Sequence, residues 1–378
     1  NKWRKVKVAG WVGVWLVSKT IPWLPDLASD AWPDPPEEEI VSEMELKKRR
    51  DAKYSPVDLN VAEFVRRPIC DEVKKIVTEG VEILYLGDRE KFEKVDQYAF
   101  QEKGHKIECI KECERAIACG ALSLPSPMVS VTKVHSWVVV VKGGRTRICL
   151  DTSKLVNPFV PSIPFNLPQF DEVSKYAKQG SYLAKFDLRD FFWNLKVKES
   201  DQGLFGVIHP GDEKVYVHSR LCFGYKDSPR VACKVSEAVA AELRRLGVQC
   251  IVFVDDFLIC EDSLEQCINS MLVVEALLID LGFEISAHKT EGPAKVVTFL
   301  GVEVDVRDEH MCYRLPASKV LKIKGQLEQV ALWQQQGVRK VKAQAMAAIV
   351  GMLCFAARVV PGANVFLRGM WDCLSVAF

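Results

Sequence analysis

The stretch QCIVFVDDFLIC, residues 249–260, places two adjacent carboxylates between two apolar arms. Both arms are rich in Val, Ile, Phe and Cys, a composition typical of buried β-strands. The pattern predicts two strands joined by a two-residue turn at Asp255-Asp256. Asn-Gly or Asp-Gly fits such a turn better, and a local rule broken between strong strands marks a functional position. The pair therefore predicts a site for a hard divalent cation, with solvated turn acids as the alternative.

A second candidate acid lies upstream in AKFDLRDFF, residues 184–192, where Asp187 ends an apolar strand. If strands 182–187 and 250–254 are neighbours, Asp187 and Asp255 face one another. Carboxylates arranged in this way form the two-metal sites that catalyse in-line phosphoryl transfer.

The residues that bound the helices and hairpins around these strands predict the fold class. Pro229 in a first turn and Gly247 at the end bound one helix, and Ser263 and Gly282 bound a second. A hairpin around residues 143–144, another hairpin near 296–314 and a mainly helical last sixty residues complete the pattern. The order strand, helix, hairpin, helix, hairpin favours an antiparallel sheet with helices on one face, an α+β fold.

Composition restricts the class of protein. A chain of 378 residues predicts two or three domains, and a formal charge of +1 excludes a strong basic field over the whole chain. Nucleic-acid contacts must then come from local basic clusters. The thirteen scattered cysteines predict an intracellular, reducing compartment, and no apolar run is long enough to predict a membrane span.

Residues 1–60 read as an appended arm or linker. The first 25 residues are basic and rich in Trp, and a Pro- and acid-rich stretch follows. The arm could dock on the body of the chain, act as a targeting segment, or lie at a membrane interface. We expect it to contact a partner.

A series of motifs runs along the chain: RTRICLDTSKLVNPF…PFNLP, then KFDLRDFFWNLKV, LCFGYKDSPRVACK, FVDD, HKT and FLGVEV, and finally VVPGANVFLRGMW. In order and spacing they resemble the fingers motif, the successive palm motifs and the thumb motif of reverse transcriptases, over about residues 65–375. The thumb motif is similar to that of DIRS-type and related retroelement polymerases. The resemblance implies a right-hand polymerase fold with an N-terminal arm at 1–60, a fingers-like region at 61–180, a palm at 181–312 and a helical thumb-like region at 313–378.

The resemblance assigns catalytic roles to four matching residues. Asp187, Asp255 and Asp256 match the three carboxylates that hold two Mg²⁺ ions. Lys289 matches the lysine proposed to protonate the leaving pyrophosphate, with an ordinary surface lysine as the alternative. The implied activity is templated addition of deoxynucleotides to the 3′ end of a primer.

The same resemblance implies a nucleotide pocket and a nucleic-acid contact. Its pocket residues are Arg147 for the triphosphate, Lys142 as a looser companion, Phe192 as the aromatic gate against a ribose 2′-hydroxyl, and Phe223 and Gly224 beside the template and incoming base. Nucleic-acid backbone contacts are expected from Arg339, Lys340 and Lys342, a run that could also be a solvated face. The implied partners are an RNA or DNA template–primer and deoxynucleotides.

Two departures support an alternative function. Phe191 stands where Ala or Gly is usual and could crowd the sugar pocket, and Cys222 replaces the usual Pro. The alternative is a domesticated, catalytically silent structural or RNA-binding subunit of a ribonucleoprotein such as a mitochondrial ribosome, in contact with structural RNA and neighbouring proteins. A retroelement enzyme would instead work in the nucleus or cytoplasm.

A zinc site is a weaker possibility. His105, Cys109 and Cys113 recur every four residues and Cys119 follows, but a second pair of ligands is missing. Cysteines buried on one helix face explain this spacing better.

Overall fold

The computed structural model describes residues 58–97, 100, 103–142, 145–167, 170–307, 310–336, 343–360 and six positions between 362 and 371. Its helices are α1 Val61–Arg66, α2 Asp71–Glu79, α3 Lys103–Ala118, α4 Phe191–Asn194, α5 Ser228–Arg245, α6 Leu264–Asp280, α7 Ala317–Gln335 and α8 Ala343–Ala356. Its strands are β1 Glu93–Lys94, β2 Leu122–Ser123, β3 Lys133–Lys142, β4 Arg145–Asp151, β5 Tyr182–Asp187, β6 Gly206–Ile208, β7 Val215–His218, β8 Cys250–Phe253, β9 Asp256–Glu261, β10 Glu291–Ala294, β11 Val296–Phe299, β12 Val302–Asp305 and β13 Cys312–Arg314.

The central element is a four-stranded antiparallel sheet in the order β10-β5-β9-β8. Side chains alternate between its faces, as the strand period of two requires. Phe186, Phe257 and Ile259 join the large core that includes α5 and α6, whereas Leu183 and Leu258 join a second core with the sheet β11-β12-β13. The sheet is therefore covered on both faces.

The predicted pairing of strands 182–187 and 250–254 is wrong. β5 pairs with β9, and β8 lies on the far side of β9. The predicted turn is also displaced by one residue, because Phe253 pairs with Asp256 and the turn consists of Val254 and Asp255. The second strand of a hairpin can lie inside a sheet as readily as the first, and side-chain alternation does not distinguish the two.

A second sheet has the order β1-β3-β6-β7-β2, with β4 paired to β3. The predicted hairpin around residues 143–144 is confirmed by the register from Ser136↔Asp151 to Lys142↔Arg145. β6 and β7 belong to this sheet although they follow β5 in sequence. The chain therefore leaves the central sheet after β5 and returns to it at β8.

Helix α1 packs on the core of the central sheet rather than on the second sheet. Phe64 of α1 contacts Phe283 with ring centroids 6.1 Å apart, and the Asn60 amide donates to the Leu281 carbonyl. Gly282 has a φ of +86°, and a Cβ there would lie 2.8 Å from the Asn60 nitrogen. Glycine is therefore required both by the backbone conformation and by the close approach.

The helix and strand content confirms the α+β fold class. The predicted helix ends are found: Ser263 caps α6 by accepting from the Gln266 amide, and Gly247 and Gly282 follow α5 and α6 with positive φ. Within the described residues, no helix combines the length and apolar character that crossing a membrane requires. Most of the predicted arm, residues 1–57, lies outside the described residues.

Candidate active site

Two of the predicted acids lie directly opposite one another at the ends of neighbouring strands. In the β5–β9 register the Cα partner of Asp187 is Asp256. Both residues share the parity of Leu183 and Leu258, so they lie on the face opposite α5 and α6. Asp187 is only 6 % exposed.

The third acid sits on the adjoining turn. The carbonyl oxygen of Asp255 accepts from the Leu188 amide at 3.0 Å, which ties the turn to the residue after Asp187. Val254, the first turn residue, has a φ of +58°. A β-branched residue in this left-handed region costs on the order of 1–3 kcal/mol, and such strain is found at functional sites.

Burial and mutual repulsion shape the electrostatics of these acids. Burial, reinforced by the charge of Asp256, raises the pKa of Asp255 from 3.8 to about 6. Burial also raises the pKa of Asp256, although the ammonium of Lys185 lies 3.7 Å from its Oδ1 and opposes the rise. That Oδ1 is buried and accepts no hydrogen bond. The cluster thus holds negative charge that its neighbours compensate only in part.

Lys289 contributes a direct contact to this cluster. Its Nζ donates to Oδ1 of Asp187 at 2.7 Å. The residue ends a short 3-10 helix, Ala287–Lys289, and the preceding Ser286 amide donates to the Asp187 carbonyl oxygen at 2.8 Å. The Lys289 side chain is 47 % exposed, so it can leave the carboxylate without unfolding anything.

The residue types at this position fit a magnesium site. Three carboxylates supply the hard oxygen donors that Mg²⁺ prefers, and the buried Oδ1 of Asp256 accepts no hydrogen bond, although the Lys185 ammonium lies 3.7 Å away. The three carboxylates do not form a complete metal site as they stand. Among the described residues, no group of three or more His, Cys, Asp or Glu side chains lies close enough together to hold a metal ion. Holding an ion there would require the three carboxylates to come closer together.

The aromatic residues after Asp187 point in different directions. Phe192 is half-buried, and its ring packs against Phe223 with centroids 5.0 Å apart. Phe223 itself is 51 % exposed. Phe191 is 4 % exposed and packs against Phe283 in the core, so the expectation that its ring crowds a sugar pocket is wrong.

Gly224 follows Phe223 in a loop that packs against the end of β4. Its φ is +113°, and a Cβ there would lie 1.8 Å from the Leu150 carbonyl oxygen. The Gly224 carbonyl accepts from Thr152 Oγ1 at 2.6 Å and from Asn157 Nδ2 at 2.9 Å. Only glycine permits this approach, which fixes Phe223 beside Phe192.

The other predicted contacts are described in part or not at all. Lys142 and Arg147 lie on the paired strands β3 and β4, where Arg147 is opposite Val140, and only their backbones are described. The predicted nucleic-acid contacts Arg339, Lys340 and Lys342 lie outside the described residues.

The cysteines in α3 and directly after it are core residues. Cys109, Cys113 and Cys119 are free thiols with 0 %, 1 % and 7 % exposure, respectively. Burial raises the pKa of the Cys119 thiol, which disfavours the thiolate that zinc requires. The interpretation as buried helix cysteines is confirmed.

Three residues on or next to the elements that carry the acids were not predicted from the sequence. Lys185 lies on β5 two positions before Asp187, and strand alternation alone would have put it on the same face. Asp190 and Arg115 form an ion pair across 75 residues, a contact for which the sequence carries no local signal.

Comparison with known proteins gives a family for the middle of the chain. Residues 142–304 match the family described as reverse transcriptase (RNA-dependent DNA polymerase). The "Retrovirus-related Pol polyprotein from transposon 297" of Drosophila melanogaster is 25 % identical over 203 residues, which are 52 % of this chain and 18 % of that protein. The "Gag-Pol polyprotein" of Woolly monkey sarcoma virus is 29 % identical over 152 residues, 39 % of this chain and 9 % of that protein. The chain thus spans less than a fifth of the length of these two relatives.

Solved structures show the same fold. The foamy viral protease–reverse transcriptase in complex with an RNA/DNA hybrid is 18 % identical, with a TM-score of 0.61 over 96 % of this chain and 46 % of that one. A related foamy viral protein in complex with double-stranded DNA gives a TM-score of 0.60 at 19 % identity, over 90 % and 60 % of the two chains. The predicted polymerase fold is confirmed, and so is the resemblance to reverse transcriptases.

Proposed function

We propose that this chain, whose residues 142–304 match the reverse transcriptase family, is a polymerase that adds deoxynucleotides to a primer 3′ end on a nucleic-acid template. The proposed catalytic carboxylates are Asp187, Asp255 and Asp256. The proposed nucleotide pocket contains Arg147, Lys142, Phe192, Phe223 and Gly224.

One observation carries the proposal. Asp187 and Asp256 are cross-strand partners at the end of β5 and β9, and Asp255 lies on the turn beside them. Three partly or fully buried carboxylates at one strand end are unfavourable as structural elements, because burial and repulsion raise the pKa of two of them. A divalent cation would compensate this charge.

The residues would hold Mg²⁺ through the carboxylate oxygens of Asp187, Asp255 and Asp256. Bound there, two ions would lower the pKa of the primer hydroxyl and stabilise the charge of the transferred phosphoryl group. The chain's own part is to present these oxygens on a rigid sheet end, since the strands that carry them are covered on both faces.

Lys289 has a position suited to proton delivery. Its ammonium is exposed enough to move from Asp187 toward a leaving pyrophosphate oxygen and to donate a proton there. Until a cation binds, the same ammonium neutralises part of the carboxylate charge at 2.7 Å. Lys289 would thus exchange one partner for another when the site is loaded.

Sugar selection would fall to Phe192. Its ring is braced by Phe223, which the Gly224 loop fixes against β4. A braced ring beside the sugar would reject a 2′-hydroxyl by steric contact, which favours deoxynucleotides. Arg147 would bind the triphosphate with its guanidinium, a group whose planar fork suits phosphate oxygens.

The remaining assignments follow from this function. The proposed regions are the arm at 1–60, fingers-like residues 61–180 joined by β6 and β7, a palm at 181–312 and a thumb-like region at 313–378. The proposed partners are a template–primer and deoxynucleotides, and the solved relatives were found with double-stranded DNA and an RNA/DNA hybrid. A retroelement origin would place the protein in the nucleus or cytoplasm.

Primer extension on poly(rA)–oligo(dT) with Mg²⁺ tests the proposal. The parent chain should extend the primer, and Asp255→Asn/Asp256→Asn should abolish extension while remaining folded. Asp262→Asn is the matched control, since its carboxylate is 56 % exposed and lies 3.7 Å from the Lys178 ammonium. Phe191→Ala should not increase the rate, because the ring lies in the core.

If the parent chain is folded and binds template–primer but does not extend the primer, the proposed polymerase function is refuted. That outcome would favour the alternative, a catalytically silent structural or RNA-binding subunit of a ribonucleoprotein. Extension that survives in Asp255→Asn/Asp256→Asn would show instead that other residues catalyse it.

A further inference from the structure

We infer that Arg115, on α3, is a positioning residue for the nucleotide pocket, because it clamps the left-handed turn from which the helix carrying Phe192 begins. The inference rests on the proposed function, since it assigns Arg115 to that same site. Nothing in the sequence motifs around Asp187 points to Arg115, which lies 75 residues upstream of its partner.

The turn at Asp190 gains little stability from its own residues. Asp190 has a φ of +49° and a ψ of +35°, a left-handed conformation that costs on the order of 1 kcal/mol in a non-glycine residue. α4 has only four residues, and the Asp190 side chain makes no cap to it. The Trp193 amide donates to the Asp190 carbonyl at 2.7 Å, so a shift at Asp190 is transmitted to the helix.

Arg115 contacts both this turn and the short helix that follows it. Its Nη1 donates to Oδ2 of Asp190 at 2.5 Å. Its guanidinium is itself oriented by Glu112, whose two carboxylate oxygens accept from Nε and Nη2 at 3.0 and 2.8 Å. Its guanidinium carbon Cζ lies 4.1 Å from the ring centroid of Trp193, which is 5 % exposed. A single side chain therefore holds both the start and the middle of α4.

Other contacts at Asp190 are weaker. Arg189 Nε is 3.6 Å from the same Oδ2, but its Nη1 is engaged by Glu284 at 2.7 Å. Arg115 and Asp190 are each about three-quarters buried, with side chains 24 % exposed, so solvent screens their pair less than it would a surface pair. Arg115 is thus the main partner of the Asp190 carboxylate.

The clamp acts on the pocket through Phe192. This residue lies between Asp190 and Trp193, and its ring packs against Phe223. α3 does not depend on Arg115 for its own docking, because Cys109, Cys113 and Ala116 bury its other face. Loss of Arg115 should therefore loosen α4 without detaching α3.

Nucleotide kinetics and backbone exchange together test the inference. In Arg115→Gln, KM for dTTP should rise about 10-fold, as expected for the loss of a charge-assisted hydrogen bond that orients a binding group, with kcat within about 3-fold of the parent. The preference for dTTP over rUTP should fall by a similar factor. Arg115→Lys keeps the charge but loses the fork and the stacking, so it should restore only part of the effect.

Two controls separate positioning from general damage. Lys111→Gln, on the same helix, removes a 64 % exposed lysine that pairs with Glu108 and should change nothing. Asp190→Asn should resemble Arg115→Gln, and the double variant should be no worse than either single variant, because both remove the same contact.

Hydrogen exchange gives a readout that does not need activity. Exchange of the peptide spanning 188–195 should quicken about 10-fold in Arg115→Gln and stay unchanged in Lys111→Gln. Unchanged exchange, or an unchanged KM and sugar preference in an active enzyme, would overturn the inference. An inert parent chain whose 188–195 exchange still quickens in Arg115→Gln would refute the proposed function instead and leave the clamp supported.

Discussion

Replacing Asp255 with Asn should make the metal-free protein more stable at neutral pH while it abolishes the proposed activity. The cause is the unfavourable position of the carboxylate. Burial, together with the charge of Asp256, raises the pKa of Asp255 from 3.8 to about 6. The folded chain therefore binds the proton more tightly than the unfolded chain does, and ionisation costs stability.

The magnitude follows from the size of this shift. A rise of about two pKa units corresponds to about 3 kcal/mol of stability lost once both states are ionised. The loss begins as pH rises through about 4, grows until about 6, and is constant above that. Because a buried amide also pays for desolvation, the net gain from Asp255→Asn at pH 8 should be about 1–3 kcal/mol. At pH 4.5 it should be about 2 kcal/mol smaller.

Urea unfolding in EDTA at pH 8 and pH 4.5 measures this difference. Asp262→Asn is the matched control, since the carboxylate it removes is exposed and should contribute little at either pH. Adding millimolar Mg²⁺ should stabilise the parent chain and leave Asp255→Asn unchanged. A variant that is less stable than the parent at pH 8, or a gain that is the same at both pH values, would refute the reasoning.

The remaining predictions concern stability and are measured by urea unfolding at fixed temperature. Gly282→Ala should lose at least about 2 kcal/mol, because its Cβ would lie 2.8 Å from the Asn60 nitrogen at a φ of +86°; an unaffected variant would contradict the close approach. Ser263→Ala should lose about 1 kcal/mol with the N-cap of α6. Asp305→Asn should lose about 1 kcal/mol at pH 7, since the hydrogen bond from Arg307 lowers the pKa of Asp305 to about 2. That stabilisation is present above about pH 4 and lost as pH falls toward 2, so the two proteins should converge there.

The helices and strands of the central sheet and its core were predictable because their boundary signals are local in sequence. Ser263, Gly282 and Gly247 are helix signals whose reasons are local: a hydroxyl for an unpaired amide, and glycine for a left-handed end. The apolar arms of residues 249–260 predicted two strands, and both were found. The three acids were predicted as a site because each interrupts or ends an apolar run.

What stayed hidden depends on contacts distant in sequence. Alternation assigns faces but not neighbours, so it could not show that β5 pairs with β9. The position of the two acids between apolar arms predicted a turn at Asp255-Asp256, whereas the sheet places Val254 and Asp255 in the turn, with Val254 at a φ of +58°. The inward position of Phe191 depends on the orientation of the one-turn helix α4, which Arg115 binds at its N-cap residue Asp190 from 75 residues upstream.

The central claim is that Asp187, Asp255 and Asp256 together form a cation site. The most direct measurement is a Mn²⁺ titration followed by electron paramagnetic resonance, with the chain bound to template, chain-terminated primer and dTTP. We expect two tightly bound Mn²⁺ ions per chain. Both should be lost in Asp187→Asn/Asp255→Asn/Asp256→Asn and retained in Asp262→Asn. Equal Mn²⁺ binding by the parent chain and the triple variant would contradict it.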